Sequence, residues 1–70
     1  MSKLVLLALK KESGIIKYIS IPADKVLNVN QSETDTYECY ATIEGSKHEE
    51  KVTVKGNIWD ITVKINDALD

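Results

Sequence analysis

Arginine is missing from this sequence: all nine of its basic residues other than His48 are lysines. Arginine supplies the planar fork that grips phosphates and guanine edges, whereas lysine is a hydrated point charge. With a net charge of −2, the chain lacks the usual electrostatic basis for holding a phosphate backbone. A plain compositional bias toward Lys, Ile and Asn would have the same chemical result. Cysteine is nearly absent too. Cys39 is the only one, so no disulfide can form within the chain. Three glycines and one proline leave no low-complexity tract, no linker and no glycine-rich phosphate loop. The longest apolar run, Leu4 to Leu9, is shorter than the roughly 7–15 residues of a signal-peptide core. It is far below the ~20 residues of a membrane span. These absences argue against a nucleic-acid binder, a disulfide scaffold, a secreted protein and a membrane protein.

What is present suits one small α+β domain. Of the 70 residues, 43% are hydrophobic, too many for a disordered chain. The size lies near the lower limit at which a core holds without disulfide or metal, and association with other chains is a further source of stability. Strands are expected over about 3–10, 15–21, 26–31, 36–44 and 49–55. The first is Leu4 to Leu9, followed by the turn signal Glu12-Ser13-Gly14. The second alternates, with Ile15, Lys17, Ile19 and Ile21 on one face, and ends at Pro22. A weaker third strand puts Leu27 and Val29 on one face; a short helical turn over Ala23 to Leu27 is the alternative. The clearest alternation sets Tyr37, Cys39, Ala41 and Ile43 against Glu38, Tyr40, Thr42 and Glu44. After Gly45-Ser46-Lys47, Val52 and Val54 face inward on the fifth strand. Short strands with tight turns predict a five-stranded antiparallel meander.

The stretch "GNIWDITVKINDALD" carries two patterns. Trp59, Ile61, Val63 and Ile65 alternate as in a strand, while Ile58, Ile61, Ile65, Ala68 and Leu69 recur as in a helix. Asn57 is a favoured N-cap, Asp60 follows at the third helical position, and Gly56 breaks the preceding strand. A helix over about 58–69, packed on one face of the sheet, accounts for more of the residues. On its wheel Trp59 and Val63 lie about 120–160° from the centre of the main stripe. They serve either as a flank of the core or as a contact strip for another chain, tryptophan being enriched at binding hot spots.

The first strand raises the same question. Leu4, Leu6 and Ala8 point one way, and Val5, Leu7 and Leu9 the other. Only one set can lie beneath the helix, and an exposed apolar set usually marks an interface. Val5, Leu7 and Leu9, or their alternates, are therefore expected to meet another subunit or partner, unless loops of a barrel-like fold cover them. The candidate interface residues are Trp59, Val63, Val5, Leu7 and Leu9.

Signals for chemistry are weak. His48-Glu49-Glu50 offers two potential ligands on a strand face, where catalytic zinc takes three. Cys39 alternates with apolar residues and has no evident base beside it. Asn30-Gln31-Ser32 matches a glycosylation sequon without a secretory signal. Tyr40, between Glu38 and Thr42, suits cross-strand packing better than base stacking. No catalytic residue, metal or cofactor is expected, and the chain reads as a non-enzyme.

A β-meander, the proline-led strand segment "IPADKVLNVNQ" and the closing capped helix "NIWDITVKINDAL" give the span Ile19 to Leu69 a resemblance to small accessory, virion-associated proteins of tailed phages. The resemblance implies a structural, capsid- or tail-associated part built from many copies, cytoplasmic or assembled into a virion. It transfers no functional residue. The alternative is a small regulator of a host or cellular protein, and a third possibility is a small β-barrel that binds nucleic acid. The missing arginine and the negative charge decide against the third. No mobility shift is expected with single- or double-stranded DNA or RNA at physiological salt, and micromolar binding would refute this.

Overall fold

The computed structural model describes residues 3–70. Five strands precede a single α-helix: β1 (Leu4–Lys10), β2 (Ile16–Pro22), β3 (Val26–Gln31), β4 (Glu38–Glu44), β5 (Glu49–Lys55) and α1 (Ile58–Leu69). All pair antiparallel in one open sheet, in the order β2-β1-β5-β4-β3. The α+β class with one helix against the sheet is thus the one that the sequence pattern predicts. The order departs from the expected meander: β2 and β3 are adjacent in sequence yet form the two edges, because β1 pairs with β5 instead of standing at an edge. Ala23–Lys25, between β2 and β3, form a single 3-10 turn at the place where the sequence allowed a helical alternative.

The β1–β2 hairpin turns at Gly14, whose φ of 85° lies in the left-handed region. Gly14 N–H donates to Lys11 O and Lys11 N–H to Ile15 O, each at 2.9 Å. Seven consecutive residue pairs join the two strands without a bulge, from Leu4 opposite Pro22 to Lys10 opposite Ile16. On the far side of the sheet, β3 and β4 also pair, but the register shifts between Val26 and Asn28. That shift corrects the expected alternation: Val26 and Val29 pack on the core, and Leu27 is left exposed. Tyr37 also departs from its expected inward position. It lies in the loop before β4 and is exposed.

One bridge pair, Leu9 opposite Val54, joins β1 to β5. Below it the two strands diverge, because β5 ends at Lys55 and Gly56, with φ 130°, sends the chain into α1. The helix packs on one face of the sheet, against β1, β3 and the 3-10 turn. Lys3 N–H donates to Ala68 O at 2.7 Å, and Lys64 Nζ donates to Leu6 O at 2.9 Å. These two bonds tie the helix to the residue before β1 and to the middle of that strand.

The same placement decides which face of β1 is buried. Val5 and Leu7 join Ala23, Cys39, Ala41, Val54, Ile61, Ile65 and Ala68 in the core, with Leu9 packed against it. Assigning Val5, Leu7 and Leu9 to an interface is thus corrected: they form the face beneath the helix, and their alternates Leu4 and Leu6 face outward. Cys39 is inside as expected.

A 12-residue helix is marginal by itself in water, so its packing must hold it. Burial of Ile61 and Ile65 stabilises by about 1.5–3 kcal/mol each. The N-cap adds less but sets the starting residue. Asp60 N–H donates to Asn57 Oδ1 at 2.8 Å, and Asn57 Nδ2 returns a bond to Asp60 Oδ2 at 3.2 Å. Among the described residues no helix is long and apolar enough to cross a membrane. Replacing Asn57 with Ala should cost about 0.5–2 kcal/mol. In a domain of this size each kcal/mol lowers the melting temperature by roughly 4–8 °C. A calorimetric scan showing no decrease would refute the role of the cap.

Candidate interaction surface

Directly opposed residues of an antiparallel pair point to the same face, so the register fixes the outer face of the sheet strand by strand. On β2 it carries Ile16, Tyr18 and Ser20; on β1, Leu4, Leu6, Ala8 and Lys10. On β5 it carries Lys51, Thr53 and Lys55, facing Thr42, Tyr40 and Glu38 of β4. The face is therefore divided. The β4–β5 half is polar, as a solvated antiparallel sheet should be. The β1–β2 half is apolar, with relative exposures of 65% for Leu4, 51% for Leu6 and 68% for Tyr18.

A cluster of three charges lies beside this boundary. The Glu38 carboxylate accepts from Lys10 Nζ at 2.8 Å and from Lys55 Nζ at 3.2 Å. The hydrogen bond from Lys10, followed by that from Lys55, holds the Glu38 carboxyl below the usual carboxylate range. Reciprocally, the bond to Glu38 raises the Lys10 ammonium above its ordinary value. The sequence places Glu38 among outward residues, which is its face, but does not foretell its burial. Burial comes from the strand order β1-β5-β4, which brings Lys55 from the neighbouring strand and Lys10 from the strand beyond it over the Glu38 carboxylate. Both bonds fall on one carboxylate oxygen, Oε2, and tie β1 and β5 to β4.

The remaining candidates fall apart chemically. Cys39 is buried, and desolvation raises its thiol above the ordinary value, away from the reactive thiolate. His48, Glu49 and Glu50 are exposed at the turn into β5. Among the described residues no group of three or more His, Cys, Asp or Glu is placed to hold a metal. In the sequon, Asn30 Nδ2 donates to Asn28 Oδ1 at 3.3 Å. Ser32 is buried, its Oγ accepting from the N–H groups of Thr34 and Asp35 at 3.3 Å. Tyr40 stands under Lys51, whose Nζ lies 5.2 Å from the ring centroid, a cation–π contact.

The helix carries the other apolar strip. Trp59 and Val63 are 78% and 54% exposed, so they are not a flank of this chain's core. A shallow hollow beside Trp59 is lined by Ile58 and Thr62. A groove between β3 and α1 is lined by Val26, Val29, Ile65 and Leu69 among others. The structure thus separates the five candidate interface residues: Trp59 and Val63 lie on the exposed helix strip, and Val5, Leu7 and Leu9 in or against the core. No protein-family model, curated protein or solved structure matches the chain.

The Glu38 cluster predicts a pH dependence. A depressed carboxyl stabilises the fold above the unfolded-state carboxylate pKa and loses that contribution as pH falls through the folded value. The raised Lys10 contributes fully below the ordinary lysine value and loses it as pH rises through the folded one. Both lysine side chains are more than a third exposed, so salt should weaken the effect. Between neutral and acidic pH, Glu38→Gln should show a smaller fall in melting temperature than the unaltered protein. Parallel curves would show that the cluster does not contribute.

Proposed function

We propose that this chain is a non-enzymatic structural protein that acts by binding other protein chains, chiefly copies of itself. The observation that carries this is the apolar half of the outer sheet face, where Leu4, Leu6 and Tyr18 are exposed side by side on β1 and β2. Apolar patches that a monomer leaves in water are costly, and in soluble proteins they usually mark association sites. The polar β4–β5 half serves as an internal control, since the same sheet solvates that side with Lys, Thr and Glu. The resemblance to accessory virion proteins of tailed phages favours a small capsid- or tail-associated part present in many copies. Such a protein would be cytoplasmic until assembled into the virion, with no nucleic acid, membrane or cofactor among its partners.

A regulator that binds one host or cellular protein is the second reading. Trp59 and Val63 favour it, because an exposed tryptophan on a helix is a frequent anchor for a different chain. Light scattering after gel filtration separates the two. We expect a dimer or larger species at micromolar concentration in place of the 7.8 kDa monomer, with Leu6→Glu weakening the association. Trp59→Ala should leave the mass unchanged. A clean monomer for the unaltered protein would refute self-association, and sensitivity to Trp59 with indifference to Leu6 would move the contact to the helix.

A further inference from the structure

The two edges of the sheet are not equivalent. β3 is broken by its register shift at Val26/Asn28, and α1 packs beside it. A bulge and a covering helix are two ordinary means of keeping an edge from pairing with another chain. β2 has neither. It runs seven residues without a bulge, and the described contacts of α1 fall chiefly on β1, β3 and the 3-10 turn.

The hydrogen bonds at the two ends of the hairpin fix which groups of β2 are free. Lys11 N–H donates to Ile15 O, and Ala23 N–H donates to Lys3 O at 3.0 Å. In an antiparallel ladder, bonded and non-bonded pairs alternate. With that phase, residues 15, 17, 19 and 21 bond to β1, whereas Ile16, Tyr18 and Ser20 direct their N–H and C=O away from the sheet. Among the described residues no donor or acceptor meets these groups. Pro22, next in the series, has no N–H to offer.

We propose that β2 pairs with β2 of a second copy across a two-fold axis at Tyr18, joining two sheets into one of ten strands. The self-complementarity of this edge identifies the occupant. With Tyr18 opposite Tyr18 of the second copy, Ile16 faces Ser20 on one side of the axis and Ser20 faces Ile16 on the other. All three free donors and all three free acceptors of each copy are then satisfied. A shift of one pair toward the turn would set Lys17 directly against Lys17, which like charge disfavours. A shift the other way would oppose Ile16 to Pro22, which lacks a donor. At the Tyr18 register Lys17 instead lies opposite Ile19. Such a contact is isologous, as a closed two-fold dimer requires, and it sets the two apolar outer faces side by side in one continuous surface.

This inference rests on the self-association reading for its occupant and can fail without it. Cysteine cross-linking tests the register. Directly opposed residues of a bonded pair have Cα atoms about 5.5 Å apart, within the roughly 4.4–6.8 Å that a disulfide spans. Under mild oxidation, Tyr18→Cys should form a covalent dimer. Ile16→Cys and Ser20→Cys should each fail alone and cross-link when mixed. The unaltered protein, with Cys39 buried, is the blank. Ser20→Pro supplies the second test. It removes an N–H that points away from β1, so circular dichroism should report an intact fold. The dimer dissociation constant should rise about tenfold for the two hydrogen bonds lost across the axis. Association that persists without a cross-link at position 18 would overturn the edge pairing and leave the apolar face as the contact. A monomer up to submillimolar concentration would overturn both. Cross-linking by Ile16→Cys alone would refute the Tyr18 register.

Discussion

The divergence of β1 from β5 below the Leu9–Val54 bridge is the constraint on which the rest of this molecule depends. A sheet that stayed paired along both strands would leave the Leu6 carbonyl no free side for Lys64 to reach. Because β5 stops at Lys55, the lower half of β1 has an open side, where Lys64 of α1 donates to Leu6 O. Ile61, Ile65 and Ala68 join the core from the face that the helix covers. Ala68 O and Lys64 Nζ take up backbone groups of Lys3 and Leu6. The burial of Val5 and Leu7, the outward turn of Leu4 and Leu6, and the exposure of Trp59 all result from that one placement.

The junction is fastened on both faces of the sheet. Inside, Leu9 and Val54 meet over the core. Outside, Lys10 and Lys55 converge on Glu38, bringing together β1, β5 and β4, whose charged residues are far apart in sequence. Where few ladder bonds join two strands, side chains supply the cross-link. A charged contact this open to solvent contributes modestly, and apolar packing carries most of the energy. What the charges add is register, since only one alignment sets two lysines beside a single carboxylate.

Much of this fold can be read from the residues. The helix is announced by its cap and by the spacing of Ile58, Ile61, Ile65 and Ala68, and the structure places its bounds at Ile58–Leu69. Cys39 and Ala41 are buried where the alternation puts them. Local pattern fails where the deciding contact is distant. Nothing within Leu4 to Leu9 tells which set of leucines faces the helix, because both sets are equally apolar. Nothing near Glu38 shows that lysines 28 and 17 positions away will flank it. Leu27 misleads for a different reason: one inserted residue in a strand turns every later side chain to the opposite face. The candidate surface is half legible. Trp59 and Val63 stand out on a helical wheel, whereas the apolar hairpin face emerges only once the strand order is known.

Covering β1 with α1 has a further effect on the fate of the chain outside its folded state. Leu4 to Leu9 is a six-residue apolar stretch without charge, proline or glycine, the composition from which cross-β aggregates nucleate. In the folded chain its open side is capped by the helix. Were α1 to undock, even with the hairpin intact, that stretch would present a bare edge to any neighbour. Resistance to amyloid-like aggregation in this chain is then set by the docking equilibrium of its helix, more than by the stability of the sheet that the helix protects.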